Sequence, residues 1–385
     1  MVDDSKDKPD SNKPDKNKPG KGKPKPPKYK PPKFDKLTRW LPDGEIPVIY
    51  DPDRDKDKGY VTDKDREAKK LQDKEAADRT GKDAREVSNA PSVVPFANEV
   101  PLGIYQIDAP DYWNIGYFGF GSVIAVLDTG CDVNHPDLQG RIIGTLNFTT
   151  EGNSQTDVRD FNGHGTHVAG TIAANLNGIG VAGAAPATRL LIIKVLDGQG
   201  NGNSDVLTYA INIAVGWTGP NGERVRVINM SLGSPVNYPP LQNAIINAKG
   251  SGVLLVAAAG NNGDGNANTN EIAYPGYYPE VLEVGAYDPN TGVATFSNSN
   301  PQMDLIAPGV NVLSTFPGGS YAYISGTSMA APHVSGGAAI LIGVLEAGLG
   351  RAVTEPELYS ELKRRTVSLG LSPNAQGNGL LRLFR

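Results

Sequence analysis

The sequence predicts an α/β fold on a mostly parallel central sheet, preceded by a charged N-terminal extension. Three observations predict it. From residue 97 onward, short apolar runs alternate with segments of helical periodicity. Those runs end in Gly, Asp or Ser, the residues that stop strands and open turns. Composition also shifts sharply near residue 91. The first ninety residues hold more than half of all charges, and the rest is a Gly-rich, apolar, net acidic body. Apolar strands alternating with helices imply a parallel sheet covered on both faces. In such sheets the chemistry gathers at the carboxyl ends of strands.

The extension comes first. Residues 1–61 read as a low-complexity tail, with Lys and Pro alternating through residue 36. Such a tract cannot bury a core and is expected to be disordered or extended. Through residue 40 its aromatic residues are limited to Tyr29, Phe34 and Trp40, so no specific nucleic-acid partner is expected. Ile46–Tyr50 forms one short apolar patch. Residues 62–97 read as a charged helical segment, with pairs such as Asp65/Lys69, and a short linker. Residues 98–385 form the domain. No positively charged start leads into an apolar run, so the chain reads as cytoplasmic, or secreted if a signal has been removed. No uninterrupted apolar run reaches membrane-spanning length. The lone Cys131 allows no intrachain disulfide, which fits a reducing compartment.

Within the domain, Ser122–Leu127 is the first strand, six residues without a charge. Helical spacing follows over Thr166–Ala174. Arg189–Leu196 is the next strand and Ser204–Trp217 the next helix. Arg226–Met230, Leu241–Lys249 and Val253–Ala258 repeat the alternation, and Val281–Ala286 adds a strand. The last core element is a helix of small residues after Gly326. Pro332 is expected in its first turn, where no intrahelical N–H is needed.

Polar residues cluster where these elements end. Asp128-Thr129-Gly130 follows the first strand, where a carboxylate is placed to orient a base. A simple turn is the plainer reading. An aspartic-protease reading would need two such motifs, and only one is present. Asn162-Gly163-His164-Gly165-Thr166-His167 puts His164 at a helix start with space around its ring. A zinc pair of His164 and His167 would lack a third ligand and the Glu of HExxH, so His167 reads as a packed helix histidine. Asn261 follows a strand end with an amide able to donate to an oxyanion. Ser231-Leu232-Gly233 and the Gly-rich loop with Gly200 and Gly202 could pair with an extended peptide. Ser328 lies at the mouth of the small-residue helix, where the helix dipole favours developing negative charge.

Taken in order, LDTGCDVNHPDL, NGHGTHVAGTIAA, INMSLG, AAAGN, APG and SGTSMAAPHVSG resemble the subtilisin-like serine proteases over roughly residues 98–385. The wording around Cys131, Ile142-Ile143-Gly144 and Gly377–Leu381 is similar to the intracellular subgroup of bacilli. The resemblance implies a three-layer sandwich and a serine endopeptidase acting on proteins and peptides, and it leaves a homodimer open. It implies Ser328 as nucleophile, His164 as base, Asp128 as its orienting carboxylate and Asn261 as an oxyanion donor. Ser231, Leu232, Gly233, Gly200 and Gly202 would bind the substrate backbone. Gly260 and Ala259 would wall the primary pocket, with the uncharged Asn262 nearby, so apolar or broad specificity is expected.

The same resemblance implies calcium as cofactor. Its ligands would be Asp137, Asn175, Asn177, Ile179, Val181 and Asn98, an all-oxygen set suited to that ion. A weaker cation site would use the carbonyls of Gly276, Tyr278 and Val281 with Asp304. The extension departs from the family's secreted members, whose pro-domains are folded. Val93-Val94-Pro95-Phe96 is similar to a short motif by which intracellular members cover their active site, and Ile46–Tyr50 is a weaker candidate.

Overall fold

The computed structural model describes residues 99–384 and the backbone of Thr38–Arg39. Strands are numbered from Thr38–Arg39, which is β1. One ten-stranded sheet organises the domain. Its spine runs, in spatial order, through β3 (Ile142–Asn147), β4 (Arg189–Lys194), β2 (Val123–Asp128), β6 (Val225–Met230), β7 (Leu254–Ala258), β8 (Leu282–Asp288) and β10 (Leu305–Pro308). All of these neighbours pair in parallel. The two-residue β5 (Asn201–Gly202) stands apart and pairs antiparallel with β1. The segment β9 (Gly292–Val293) pairs antiparallel with β8. A hairpin of β11 (Val312–Phe316) and β12 (Ser320–Ile324) forms a separate ribbon. At the far edge, β14 (Leu380–Leu381) pairs with β10 and with β13 (Thr366–Val367).

The sheet is buried on both faces, as its uninterrupted apolar strands require. Successive residues of β2 separate cleanly. Ile124 and Val126 join one core cluster, while Val123, Ala125 and Leu127 join the other. Two short helices, α1 (Leu102–Gln106) and α2 (Ala109–Trp113), precede the sheet. The first core holds α3 (His164–Ala173) and the long α6 (Thr327–Leu349). The second holds α4 (Ser204–Gly216) and α5 (Pro239–Gly250). Further on come α7 (Glu355–Arg364) and α8 (Pro373–Gln376). Each fully buried Leu, Ile or Val contributes about 1.5–3 kcal/mol relative to exposure, which makes these two cores the main source of stability. The strands and helices expected from Ser122 to Ala286 all form, with ends shifted by at most two residues, and the charged helical segment expected within residues 62–97 lies outside the described residues. In the middle of the sheet, β2 lies between β4 and β6, so the chain leaves it in two directions. The crevice beyond its carboxyl end is where such sheets bind ligands.

One expectation fails. The last core helix begins at Thr327, so Pro332 lies inside it and not in its first turn. A proline there supplies no N–H to the carbonyl four residues earlier, which is that of Ser328. The Ser231 hydroxyl fills the gap, donating to that carbonyl at 2.7 Å. The helix is also long and apolar enough to cross a membrane by composition, but its apolar window is 83% buried, as befits a core helix.

Candidate active site

Asp128 ends β2 and is fully buried. Its Oδ1 accepts the Thr129 N–H at 2.7 Å and lies 2.8 Å from Nδ1 of His164. A carboxylate only accepts, so Nδ1 carries the hydrogen and Nε2 keeps its lone pair. His164 is the first residue of α3, and close approach brings it to Asp128. A side chain at Gly165 would strike the Gly130 carbonyl. Burial pulls the His164 imidazole down, but the Asp128 charge and hydrogen bond, with Asp160 behind them, outweigh it. The net pKa is raised above the ordinary 6.5.

Asp160 is a residue the motif reading missed. Its Oδ1 accepts from Thr129 Oγ1, Asn162 N and Gly163 N, and its Oδ2 from Thr166 N and Oγ1. Thr129 Oγ1 in turn accepts the Gly165 N–H at 2.9 Å. One buried carboxylate therefore ties the Asp128 turn to the first turn of α3. Five donors leave it well satisfied.

Ser328 is the second residue of α6 and is 5% exposed. Its backbone is held by the Ser231 hydroxyl, which Asn229 Nδ2 reaches at 3.0 Å. Ser335 Oγ donates to the Asn229 oxygen from the same helix. Thus the side chain of Ser231, expected among substrate contacts, anchors the turn that carries Ser328. Asn261 is locked by Thr327, whose N–H and hydroxyl both lie 2.9 Å from its Oδ1. The Asn261 amide is thereby oriented with Nδ2 free to face outward. A Cβ on Gly326 would sit 3.2 Å from Asn261 Nδ2 and 3.7 Å from Ser328 N. That spot is a small cradle between two N–H donors, kept open because residue 326 has no side chain.

The segments expected to contact substrate lie just beyond strand ends. Ser231, Leu232 and Gly233 continue β6, and Ser234 exchanges both backbone hydrogen bonds with Tyr274, at 2.7 and 2.8 Å. Gly260 follows β7, and its N–H is 3.1 Å from Thr327 Oγ1. Asn298 braces this wall, donating to the Ala259 carbonyl and accepting the Asn262 N–H. In the other expected segment, Gly200 turns back on Asp197, and Asn201–Gly202 is the edge that β1 pairs with.

His167, three residues from His164, goes elsewhere. Its Nε2 faces the carbonyls of Val312 and Ala322 at 2.9 and 3.1 Å, and burial pushes its pKa down to about 3. It is a neutral, packed histidine, as its sequence context suggests. His333 on α6 is similar, bonded to Met329 O, with burial lowering its pKa to about 4.

At the far end of α3, the loop 175–181 wraps Asp137, which is fully buried. Asp137 Oδ1 lies 3.2 Å from Asn177 Nδ2, and Oδ2 accepts from Val181 N and Tyr321 OH. Asn175 N donates to the Asp137 carbonyl, and the Asn175 side chain to Gln139 O. The Glu99 carboxylate receives the N–H groups of Asn177 and Gly178, a second pin that sequence reading did not single out. Asn98 lies outside the described residues, as do Ile46–Tyr50 and Val93–Phe96. Among the described residues, no three His, Cys, Asp or Glu side chains gather as a metal cluster. At the weaker cation site, Asp304 Oδ1 is already taken by Lys363 Nζ at 2.8 Å and Tyr359 OH at 2.7 Å.

The model of the subtilase family matches residues 119–382. The intracellular serine protease of Paenibacillus polymyxa is 50% identical over 287 residues, covering 74% of this chain and 86% of that protein. The major intracellular serine protease of Bacillus subtilis is 47% identical over 288 residues, covering 74% and 88%. Subtilisin Savinase of Lederbergia lenta is 42% identical over 285 residues, covering 74% and 97%.

Proposed function

The chain belongs to the subtilase family and is a subtilisin-type serine protease, and from that premise we propose how its residues divide the work. Ser328 Oγ attacks the scissile carbonyl carbon. His164 Nε2 takes the hydroxyl proton and returns it to the leaving amine. Asp128 holds Nδ1–H and stabilises the imidazolium. Asn261 Nδ2 and Ser328 N donate to the oxyanion of the tetrahedral intermediate. Water then attacks the acyl-enzyme with His164 as base again. The observation that carries this reading is the 2.8 Å contact of His164 Nδ1 with the buried Asp128 carboxylate, which leaves Nε2 free to accept.

An extended peptide would run between Ser231–Gly233 and Gly200–Gly202, adding a strand to both edges. Ala259, Gly260 and the uncharged Asn262 favour apolar or broad side-chain preference. Hydrolysis of casein and of a chromogenic peptide by the chain and by its Ser328→Ala variant tests the assignment. The variant is expected to lose kcat on the order of 10⁶-fold, the scale known for this family. Equal rates would remove Ser328 from the nucleophile's role.

Calcium fits the loop around Asp137. The donors are a buried carboxylate, the Asn177 side chain and the peptide carbonyls of Asn175, Ile179 and Val181, all hard oxygens. A rotated Asn177 amide would present oxygen beside Asp137 Oδ1. When bound, the ion would cross-link this loop to the segment before β3 and add its binding free energy to stability. Chelation is expected to lower the unfolding temperature of the wild type, and Asp137→Asn to abolish that response. An unchanged melt on chelation would exclude the site.

The N-terminal extension restrains the enzyme until it is cleaved. Support comes from β1, which pairs Thr38 with Gly202 and Arg39 with Asn201, on the edge assigned to substrate. This favours the stretch that holds Thr38–Arg39 over Val93–Phe96. The names of the first two relatives support a cytoplasmic enzyme.

A further inference from the structure

Lys194 is the last residue of β4, and its side chain is fully buried. In the parallel register of β2 and β4 it stands beside Asp128. A buried ammonium costs several kcal/mol unless it is paired and hydrogen-bonded. Three oxygens meet that requirement. Nζ donates to the carbonyls of Thr129 at 2.5 Å and Leu196 at 2.9 Å, and it lies 3.1 Å from Glu151 Oε2. The Phe161 ring covers it, 5.8 Å from Nζ to centroid.

Each of these oxygens belongs to a different part of the site. Thr129 directly follows Asp128. The Val195 and Leu196 N–H groups donate to the Asp128 carbonyl at 2.9 and 3.2 Å, so Leu196 leads from that turn toward β5. Glu151 lies in the loop between β3 and α3, and its Oε1 accepts the Gly198 N–H at 3.0 Å. A structural core position would be filled more cheaply by leucine.

We propose that Lys194 and Glu151 are positioning residues for the catalytic pair. The ammonium fixes the Asp128 turn, Glu151 ties it to the substrate edge at Gly198–Gly202, and their opposite charges set the field at His164. The inference rests on the assignment of Asp128 and His164 above. Neither Lys194 nor Glu151 touches a reacting atom.

Two carboxylates, Asp128 and Asp160, face His164 directly, and further charges stand on the elements packed around them. Asp128 comes from β2, Asp132 from the turn after it, and Asp160 from the loop before α3. Glu151 and the Asp157–Arg159 pair come from the β3–α3 loop, and Lys194 from β4. His167 on α3 and His333 on α6 are neutral. With these held constant, removing the Lys194 cation relieves repulsion of the imidazolium and raises the His164 pKa. Removing the Glu151 charge lowers it. A packing defect alone would not send the two in opposite directions.

The test is steady-state hydrolysis of a chromogenic peptide by the full chain across pH 5–10, with unfolding melts alongside. Lys194→Met is expected to lower kcat on the order of tenfold to a hundredfold, the cost of a misplaced catalytic group. Its acid limb should move up by several tenths of a unit. Glu151→Gln should move the limb down and raise KM, and Lys194→Arg should keep the wild-type limb. Limbs that stay put or move the same way overturn the proposal, as does a Lys194→Met kcat equal to wild type. If Lys194→Met does not fold, a downward shift in Glu151→Gln with none in Lys194→Arg upholds it, and any other pattern overturns it. Ser328→Ala serves as the zero. A wild type no faster than Ser328→Ala would sink the triad assignment itself, whereas an active wild type with unmoved limbs sinks only this inference.

Discussion

His164 and His167 stand three residues apart on α3, and both are buried. The first has its pKa raised and the second has it driven to about 3. Burial acts on both and lowers both. The difference lies in what each ring faces. The start of α3 meets two carboxylates, Asp128 and Asp160, which compensate a charged imidazole. One turn later the ring meets the carbonyls of β11 and β12, which satisfy one N–H but bring too little charge to hold a proton. Identical side chains on one helix thus become a titrating base and an inert packing group. Partners, and not depth, decide which.

The strongest way to break this comparison is to make the first histidine resemble the second. Asp128→Asn removes the carboxylate and leaves the burial. We expect kcat to fall on the order of 10⁴-fold, because the amide no longer stabilises the imidazolium or fixes the tautomer. The pH profile should change as well. A general base works only when neutral, so wild-type kcat/KM should fall as pH drops through a pKa above 6.5. In Asp128→Asn, desolvation has lost its main opponent and that limb should move below 6.5. A residual limb unmoved from the wild-type position would mean that Asp160 alone sustains the raised value.

Much of this was legible in the sequence, for a definite reason. The strands are buried on both faces, so β2, β4 and β7 appear as unbroken apolar runs that stop where polar chemistry begins. Asp128 and Asn261 fall at those stops, while His164 and Ser328 open helices, each near a glycine that marks close approach. The missing parts are contacts between residues far apart in the chain. Asp160 meets Thr129 across 31 residues, Thr327 meets Asn261 across 66, and Lys194 meets Thr129 across 65. No spacing rule announces such pairs. Pro332 shows a second kind of limit. The rule that proline avoids helix interiors is sound, but it assumes that no other group repairs the broken bond. Ser231 does so from 97 residues away, and the helix then starts one turn earlier than the proline suggests. Likewise Gly202 reads as a substrate edge, but nothing local reveals that Thr38 pairs with it.

A smaller effect sharpens the comparison from the other side. His167→Leu should leave kcat per folded molecule unchanged, since the ring faces only carbonyls. Stability at pH 7 should fall by about 1–3 kcal/mol, because the carbonyls of Val312 and Ala322 lose a buried donor. The sign of the pH dependence follows from the depressed pKa. Folded His167 stays neutral down to about pH 3, whereas the unfolded residue binds a proton below 6.5. Its stabilising contribution is therefore complete above pH 6.5. It is lost on acidification at about 1.4 kcal/mol per unit until the folded pKa is reached. Leucine has no proton to bind and escapes that loss. Denaturant unfolding of both proteins from pH 7 to pH 4 should show the gap closing on acidification and the curves crossing near about pH 5. A constant gap would mean that His167 titrates alike in the folded and unfolded chains. The carbonyls of β11 and β12 would then be holding a proton that their charge is too weak to keep.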